Sequence, residues 1–193
     1  MRILIVSDTP RDGWAIGKLS DAIIRKNPQL HIDFVAVHPK EVARDIGEFK
    51  KMLENKPDVI HFQYWNTTRQ LFEVMPELRN YTTMCTHHNQ KNTLECDWKD
   101  FKINQHIVHT EANKKKLTDA GYTNVEIIQH GIDLDYFSYF REYTGDTGYV
   151  GYVGRVLPWK GLKEIAIASL DNDLKVVAMG RMDKPAYWES IPI

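Results

Sequence analysis

Strand-like and helix-like stretches alternate about five times through residues 1–130, and nothing else in the sequence restricts the fold as strongly. Arg2–Ser7 is a short apolar run of the kind buried on both faces of a parallel sheet. A loop over Asp8–Gly13 leads into a segment with Ile16, Leu19 and Ile23 on one helical face, closed near Pro28. His31–Val37 is the next strand. Val42, Ile46, Phe49 and Leu53 then follow at helical spacing and stop at Lys56-Pro57. Asp58–Phe62 is strand three, a helix carries Leu71, Val74, Met75 and Leu78, and Thr82–Thr86 is rich in β-formers. After a polar loop, Ile103–His109 is a strand. Thr110 then caps a helix that runs to Ala120, with Gly121 just past its end, and Val125–Ile128 closes the series. The pattern predicts a doubly wound α/β domain, Rossmann-like, with a mostly parallel sheet over residues 1–133.

Composition narrows the partners. A net charge of −1 gives no bulk attraction to nucleic acid or to an anionic membrane, so a positive site has to be local. The run Lys114-Lys115-Lys116 reads as a solvated helix face. Cys85 and Cys96 form no Cys-x-x-Cys pair, which argues against a zinc site or a redox motif and fits a reducing cytoplasm. The opening residues do not have the form of a signal peptide, and no apolar run is long enough for a transmembrane segment. A cytoplasmic protein is the expectation.

Residues 134–148 change character, with aromatic and acidic residues and no clear period, and are expected to link two domains. Residues 149–193 begin a second βα series. Tyr149–Val153 reads as a buried strand, and Gly154 turns the chain. Arg155, Pro158, Trp159, Lys160 and Gly161 precede a helical pattern of Leu162, Ile165, Ala166 and Leu170. A helix start after a glycine turn offers free amide groups and a favourable dipole to an anion. Two cations five residues apart, Arg155 and Lys160, can converge there on one diphosphate. A further strand over Leu174–Met179 and a turn at Gly180 follow, and the start of another helix is expected before Ile193. Two strands do not cover a doubly wound sheet, so this second domain is expected to be incomplete, completed by further sequence, by the first domain or by a partner chain.

In the first domain, His61 and Gln63 leave strand three on one side, at the carboxyl end where such sheets bind ligands, although His61 equally suits a satisfied core position. His106 and His109 lack helical i, i+4 placement and a third ligand, so no metal site is expected.

Four sequence features, in this order along the chain, carry a resemblance: the opening strand with its glycine loop; Thr86-His87-His88 at a strand end; His130-Gly-Ile-Asp-Leu-Asp-Tyr-Phe137; and Gly154-Arg155 with Lys160-Gly161. Together they resemble the retaining GT-B glycosyltransferases of the group called family 4 or group 1, truncated in the second domain. The resemblance implies two Rossmann-like domains facing across a cleft, an acceptor-side first domain and a donor domain that binds a nucleotide-diphospho-sugar. It implies transfer to an acceptor hydroxyl of a glycan, lipid or small molecule with retention of configuration, with no cofactor and no metal. Arg155 and Lys160 would contact the diphosphate, flanked by Gly154 and Gly161. His88 would position the transferred sugar, with His87 one residue out of register as its rival. Gly13, Trp14 and Gly17 stand in the family's glycine-rich loop, where Trp14 replaces a glycine and offers an aromatic wall instead of close backbone approach. Gly131 and Asp133 look like the domain-junction turn. The family's Glu-x7-Glu motif is missing, since only Glu164 and Glu189 follow residue 154. The rival expectations are a non-catalytic or partner-completed module that binds a glycan or nucleotide-sugar, and a nucleotide-sugar epimerase of the same fold, which the Gly-Ile-Asp-x-x-x-Phe run ending at Phe137 disfavours.

Overall fold

The computed structural model describes residues 1–13, 15–88, 101–132 and 148–192. Trp14, Asp133, Cys96 and the expected linker up to residue 147 lie outside the described residues. The chain divides into two units, Met1–Ser138 and Tyr139–Ile193.

Unit 1 is built on six strands: β1 (Arg2–Ser7), β2 (His31–Ala36), β3 (Val59–Phe62), β4 (Thr83–Thr86), β5 (Gln105–Val108) and β6 (Val125–Ile127). They lie in the order β2-β1-β3-β4-β5-β6, every pair parallel. Parallel neighbours need crossover connections, and helices α1 (Ala15–Lys26), α2 (Val42–Leu53), α3 (Trp65–Val74) and α4 (Glu111–Asp119) lie on these connections. Leu4, Ile5 and Val6 are all buried, so β1 is covered on both faces as its unbroken apolar run requires. One core gathers strand residues Leu4, Val6, Ile60 and Phe62 with helix residues Phe49, Leu71 and Phe72. A smaller cluster of Val108, Leu117 and Val125 seats α4 on β5 and β6. Thr110 caps α4, its side chain accepting from the Asn113 amide at 3.2 Å.

Two expectations about helices need correction. The pattern through Leu78 is not one helix. Pro76 disfavours helical backbone at Met75 (φ −136°, ψ 74°), so α3 ends at Val74 and a 3₁₀ turn takes over Pro76–Asn80. Leu78 is still buried, but Val74, read as core, is 54% exposed.

Unit 2 holds two parallel strands, β7 (Tyr149–Val153) and β8 (Lys175–Met179), with α5 (Leu162–Asp171) and the short α6 (Pro185–Trp188). Its core is Tyr152, Val156, Leu162, Ala166 and Ile191. Of β7 only Tyr152 is buried; Tyr149, Val153, Val177 and Met179 are exposed. The reading of β7 as a fully buried strand is therefore corrected: the packed cluster takes Tyr152 and Val176 from alternate strand positions and leaves the others outward. In α5, Ser169 is buried and Leu170 is exposed, opposite to the predicted stripe.

Candidate functional site

The strand order of unit 1 reverses beside β1, with β2 on one side and β3 on the other, and the carboxyl ends around such a switch point are where open α/β sheets hold ligands. Gln63, just past β3, is pinned there: its amide donates to the Val6 carbonyl at 2.8 Å, and the residue is 1% exposed. Beyond it, three neighbouring parallel strands release histidines at the same edge. His88 follows β4, His109 follows β5 and His130 follows β6.

These three rings meet. His88 Nδ1 lies 3.3 Å from His109 Nε2 and 3.4 Å from His130 Nε2, and its own Nε2 is 3.1 Å from Gln63 Oε1. The far nitrogen of His109, Nδ1, donates to the Ile128 carbonyl at 2.7 Å. His88 and His109 are half-buried, and His130 is exposed. His61 stands behind Gln63, with Nε2 2.7 Å from Thr86 Oγ1. The structure thus brings His61, Gln63 and His88 into one hydrogen-bonded line.

His87 behaves differently. It is 1% exposed, with Nε2 3.0 Å from His106 Nδ1 and the two rings stacked at 5.2 Å. His87 is thus closed off from solvent and packed on His106, whereas His88 is half-buried at the strand end. Burial pushes His61 and His106 down to about 4, and His87 and His88 to about 3, the last two helped by neighbouring imidazoles. These rings are neutral at pH 7, so they act as hydrogen-bonding or ligating groups rather than as cations.

The loop after β1 folds against the start of α1. The Gly13 amide donates to the Pro10 carbonyl at 2.9 Å, and a Cβ on Gly17 would fall 1.9 Å from the same oxygen. Loop-on-helix contact therefore accounts for Gly17 without a ligand. Asp8, at the start of this loop, has Oδ1 buried without a hydrogen-bond partner among the described residues. Burial raises its carboxyl above the usual range, against a backbone hydrogen bond and His38. Gly131 has open space around it.

In unit 2 the loops leaving β7 and β8 run side by side. Val156 pairs with Met182, and its amide donates to the Arg181 carbonyl at 2.9 Å. A Cβ on Gly180 would sit 1.7 Å from the Gly154 carbonyl oxygen, so the two loops touch only because residue 180 has no side chain. Arg155 and Arg181 both bind Asp183, at 2.5 Å and 2.6 Å. Lys160 is exposed at the end of the 3₁₀ turn Pro158–Lys160, and Lys184 lies over the Trp159 ring at 5.7 Å. Gly161 takes the left-handed conformation (φ 79°) as N-cap of α5 and, having no side chain, does not itself cap the amides behind it. Arg155 is thus held by a carboxylate. Arg181, Asp183 and Lys184 escaped the sequence reading because they belong to the other strand's loop. The available signal was that β8, as the parallel neighbour of β7, had to release its chain at the same edge.

The histidine cluster also escaped it. Judged by the spacing of His106 and His109 alone, a third ligand was missing; the fold supplies His88 and His130 from 21 residues away on either side of His109. No described helix is long and apolar enough to cross a membrane.

No family model and no curated protein matches the sequence. Solved structures do match the fold. An α-glucosyltransferase in complex with UDP and a 13-mer DNA shares 14% identity over 100% of this chain and 60% of its own, with a TM-score of 0.70. AviGT4, a glycosyltransferase involved in avilamycin A biosynthesis, shares 15% over 98% of this chain and 59% of its own, at 0.59. A UDP-GlcNAc 2-epimerase from Methanocaldococcus jannaschii shares 15% over 99% of this chain and 68% of its own, at 0.57. The chain spans about 60% of the length of the two glycosyltransferases. The fold is α/β of GT-B type, with a doubly wound first unit and a second Rossmann-like unit represented by two strands.

Proposed function

We propose that the chain is part of a glycosyltransferase that takes a sugar from a nucleotide-diphospho-sugar, with unit 2 holding the diphosphate and unit 1 the acceptor. The observation that carries this is the pair of β7 and β8 loops. They hold Arg155 and Arg181 on Asp183 and Lys184 over Trp159, and Lys160 directly precedes Gly161, the N-cap of α5. In the reaction the acceptor oxygen bonds to the anomeric carbon, the bond from that carbon to the diphosphate breaks, and the hydroxyl proton passes to a diphosphate oxygen. Negative charge grows on the leaving group, and fixed cations and amides there lower the barrier more than they tighten ground-state binding. In this reading guanidinium and ammonium groups meet the diphosphate charge, so no divalent ion is needed on the leaving group. His88, neutral and open, hydrogen-bonds the transferred sugar. Retention of configuration, family 4 membership and a cytoplasmic site of action rest on the sequence resemblance.

The test is titration of the chain with UDP- and GDP-sugars. Binding that is lost in Arg155→Ala and in Lys160→Ala supports the reading; binding that both variants retain overturns it. Where a full-length enzyme is assayed, each substitution lowers turnover by about 10²–10³. An epimerase of the same fold is favoured by the likeness to the UDP-GlcNAc 2-epimerase. Product analysis separates the two: a rearranged nucleotide-sugar formed without acceptor belongs to the epimerase, a glycosylated acceptor to the transferase. Nucleotide-sugar binding without either product leaves the binding module, completed by a partner chain or further sequence.

A further inference from the structure

We propose that His88, His109 and His130 form a binding site for a divalent transition metal ion of the Zn²⁺ class. The inference concerns unit 1 alone and does not rest on the proposed function, but it shares His88 with it: an ion on Nδ1 and Gln63 on Nε2 take the ring that the sugar contact would use. Zn–N bonds of about 2.0–2.1 Å in a tetrahedral site place ligand nitrogens about 3.3–3.4 Å apart. Two of the three edges already have that length: His88 Nδ1 to His109 Nε2 is 3.3 Å, and His88 Nδ1 to His130 Nε2 is 3.4 Å. All three ligand atoms lie within 4.8 Å of one another, and His130, exposed at the rim, is the ring with room to close the third edge.

The tautomers point the same way. His88 Nε2 faces Gln63 Oε1, which can only accept, so the ring carries its proton there and leaves a lone pair on Nδ1. His109 Nδ1 faces the Ile128 carbonyl, which also only accepts, so its lone pair is on Nε2. With both rings neutral, two lone pairs therefore oppose each other at 3.3 Å. An N–H on His130 Nε2 would satisfy the edge to His88, yet the edge between His88 and His109 still joins two acceptors. A cation placed among the three nitrogens satisfies all of them. An outer hydrogen bond from the far nitrogen to a carbonyl is the arrangement that orients imidazole ligands at metal centres. Three protein ligands leave a fourth position for water or an incoming oxygen donor, the build of a reactive rather than a closed structural site. Nothing in the local sequence announces it, because the ligands sit at the ends of three different strands.

The experiment uses untagged chain, stripped with chelator and titrated with Zn²⁺ by calorimetry and with Co²⁺ by visible absorption, in the absence of nucleotide. The expected result is one ion per chain and the intense visible bands of four-coordinate Co²⁺ with nitrogen ligands. His109→Ala and His130→Ala should each weaken Zn²⁺ binding at least tenfold, and Gln63→Leu about tenfold through the lost outer hydrogen bond. His31→Ala, a histidine on the far edge strand, should bind as the parent does. Circular dichroism of each variant shows that it is folded, and Gln63→Glu, which keeps the acceptor, should restore binding if Gln63→Leu loses it. Stoichiometry below one, or unchanged affinity in folded His109→Ala and His130→Ala, overturns the site. Because no nucleotide is present, that failure leaves the diphosphate reading untouched, and loss of nucleotide binding in Arg155→Ala leaves the metal site untouched.

Discussion

His61 and His106 tie the stability of unit 1 to pH. Both are neutral in the fold, with values near 4 set by burial, whereas an unfolded histidine titrates near about 6.5. Between those values the unfolded chain binds more protons than the folded one, so stability is full above about 6.5 and is lost as pH falls toward about 4. The urea midpoint should fall steadily from about pH 7.5 to about pH 5, and His61→Gln should flatten part of that slope. A midpoint indifferent to pH over that range would contradict the buried, neutral assignment. At this scale the sequence was partly legible. The position of His61 and Gln63 on one side of a strand end followed from the two-residue period of β3. The inward turn of His87 followed from nothing local, since adjacent residues after a strand face opposite ways and only the packing of His106 and Tyr122 decides which goes in.

The elements themselves were mostly readable because their apolar spacing is clean: Val42, Phe49 and Leu53 bury one side of α2, and Thr110 caps α4 where a side-chain acceptor was expected. Failures came where packing overrode pattern, as at Leu170, or where backbone chemistry did, as at Met75 before Pro76. The contact of the 9–13 loop with α1 gives an element-scale prediction. Gly17→Ala places a Cβ 1.9 Å from the Pro10 carbonyl oxygen, a backbone atom that cannot swing aside. It should cost about 1–3 kcal/mol in urea unfolding as an overpacked contact. Gly131→Ala, with open space around it, should stay within about 0.5 kcal/mol of the parent. Equal effects at the two glycines would mean that loop and helix do not touch as described.

At the scale of the whole molecule, the two units have unequal cores. Unit 1 packs a six-stranded sheet between helices, while unit 2 rests on a cluster of five fully buried residues and leaves the Val153 and Met179 side of its sheet bare. Amide exchange followed by mass spectrometry should therefore show β7 and β8 opening at lower free energy than β1, β3 and β4. Uniform protection across both units would refute that ranking. The carboxylate of Asp183 adds a last consequence. Because Arg155 and Arg181 share the single Asp183 carboxylate, part of their charge is already met within the loops, and the remaining positive charge attracts passing anions less than two free guanidiniums would. An incoming group must displace an internal competitor. A single weak contact cannot do that, so the pair acts as a threshold that favours multivalent, bridging anions over simple ones.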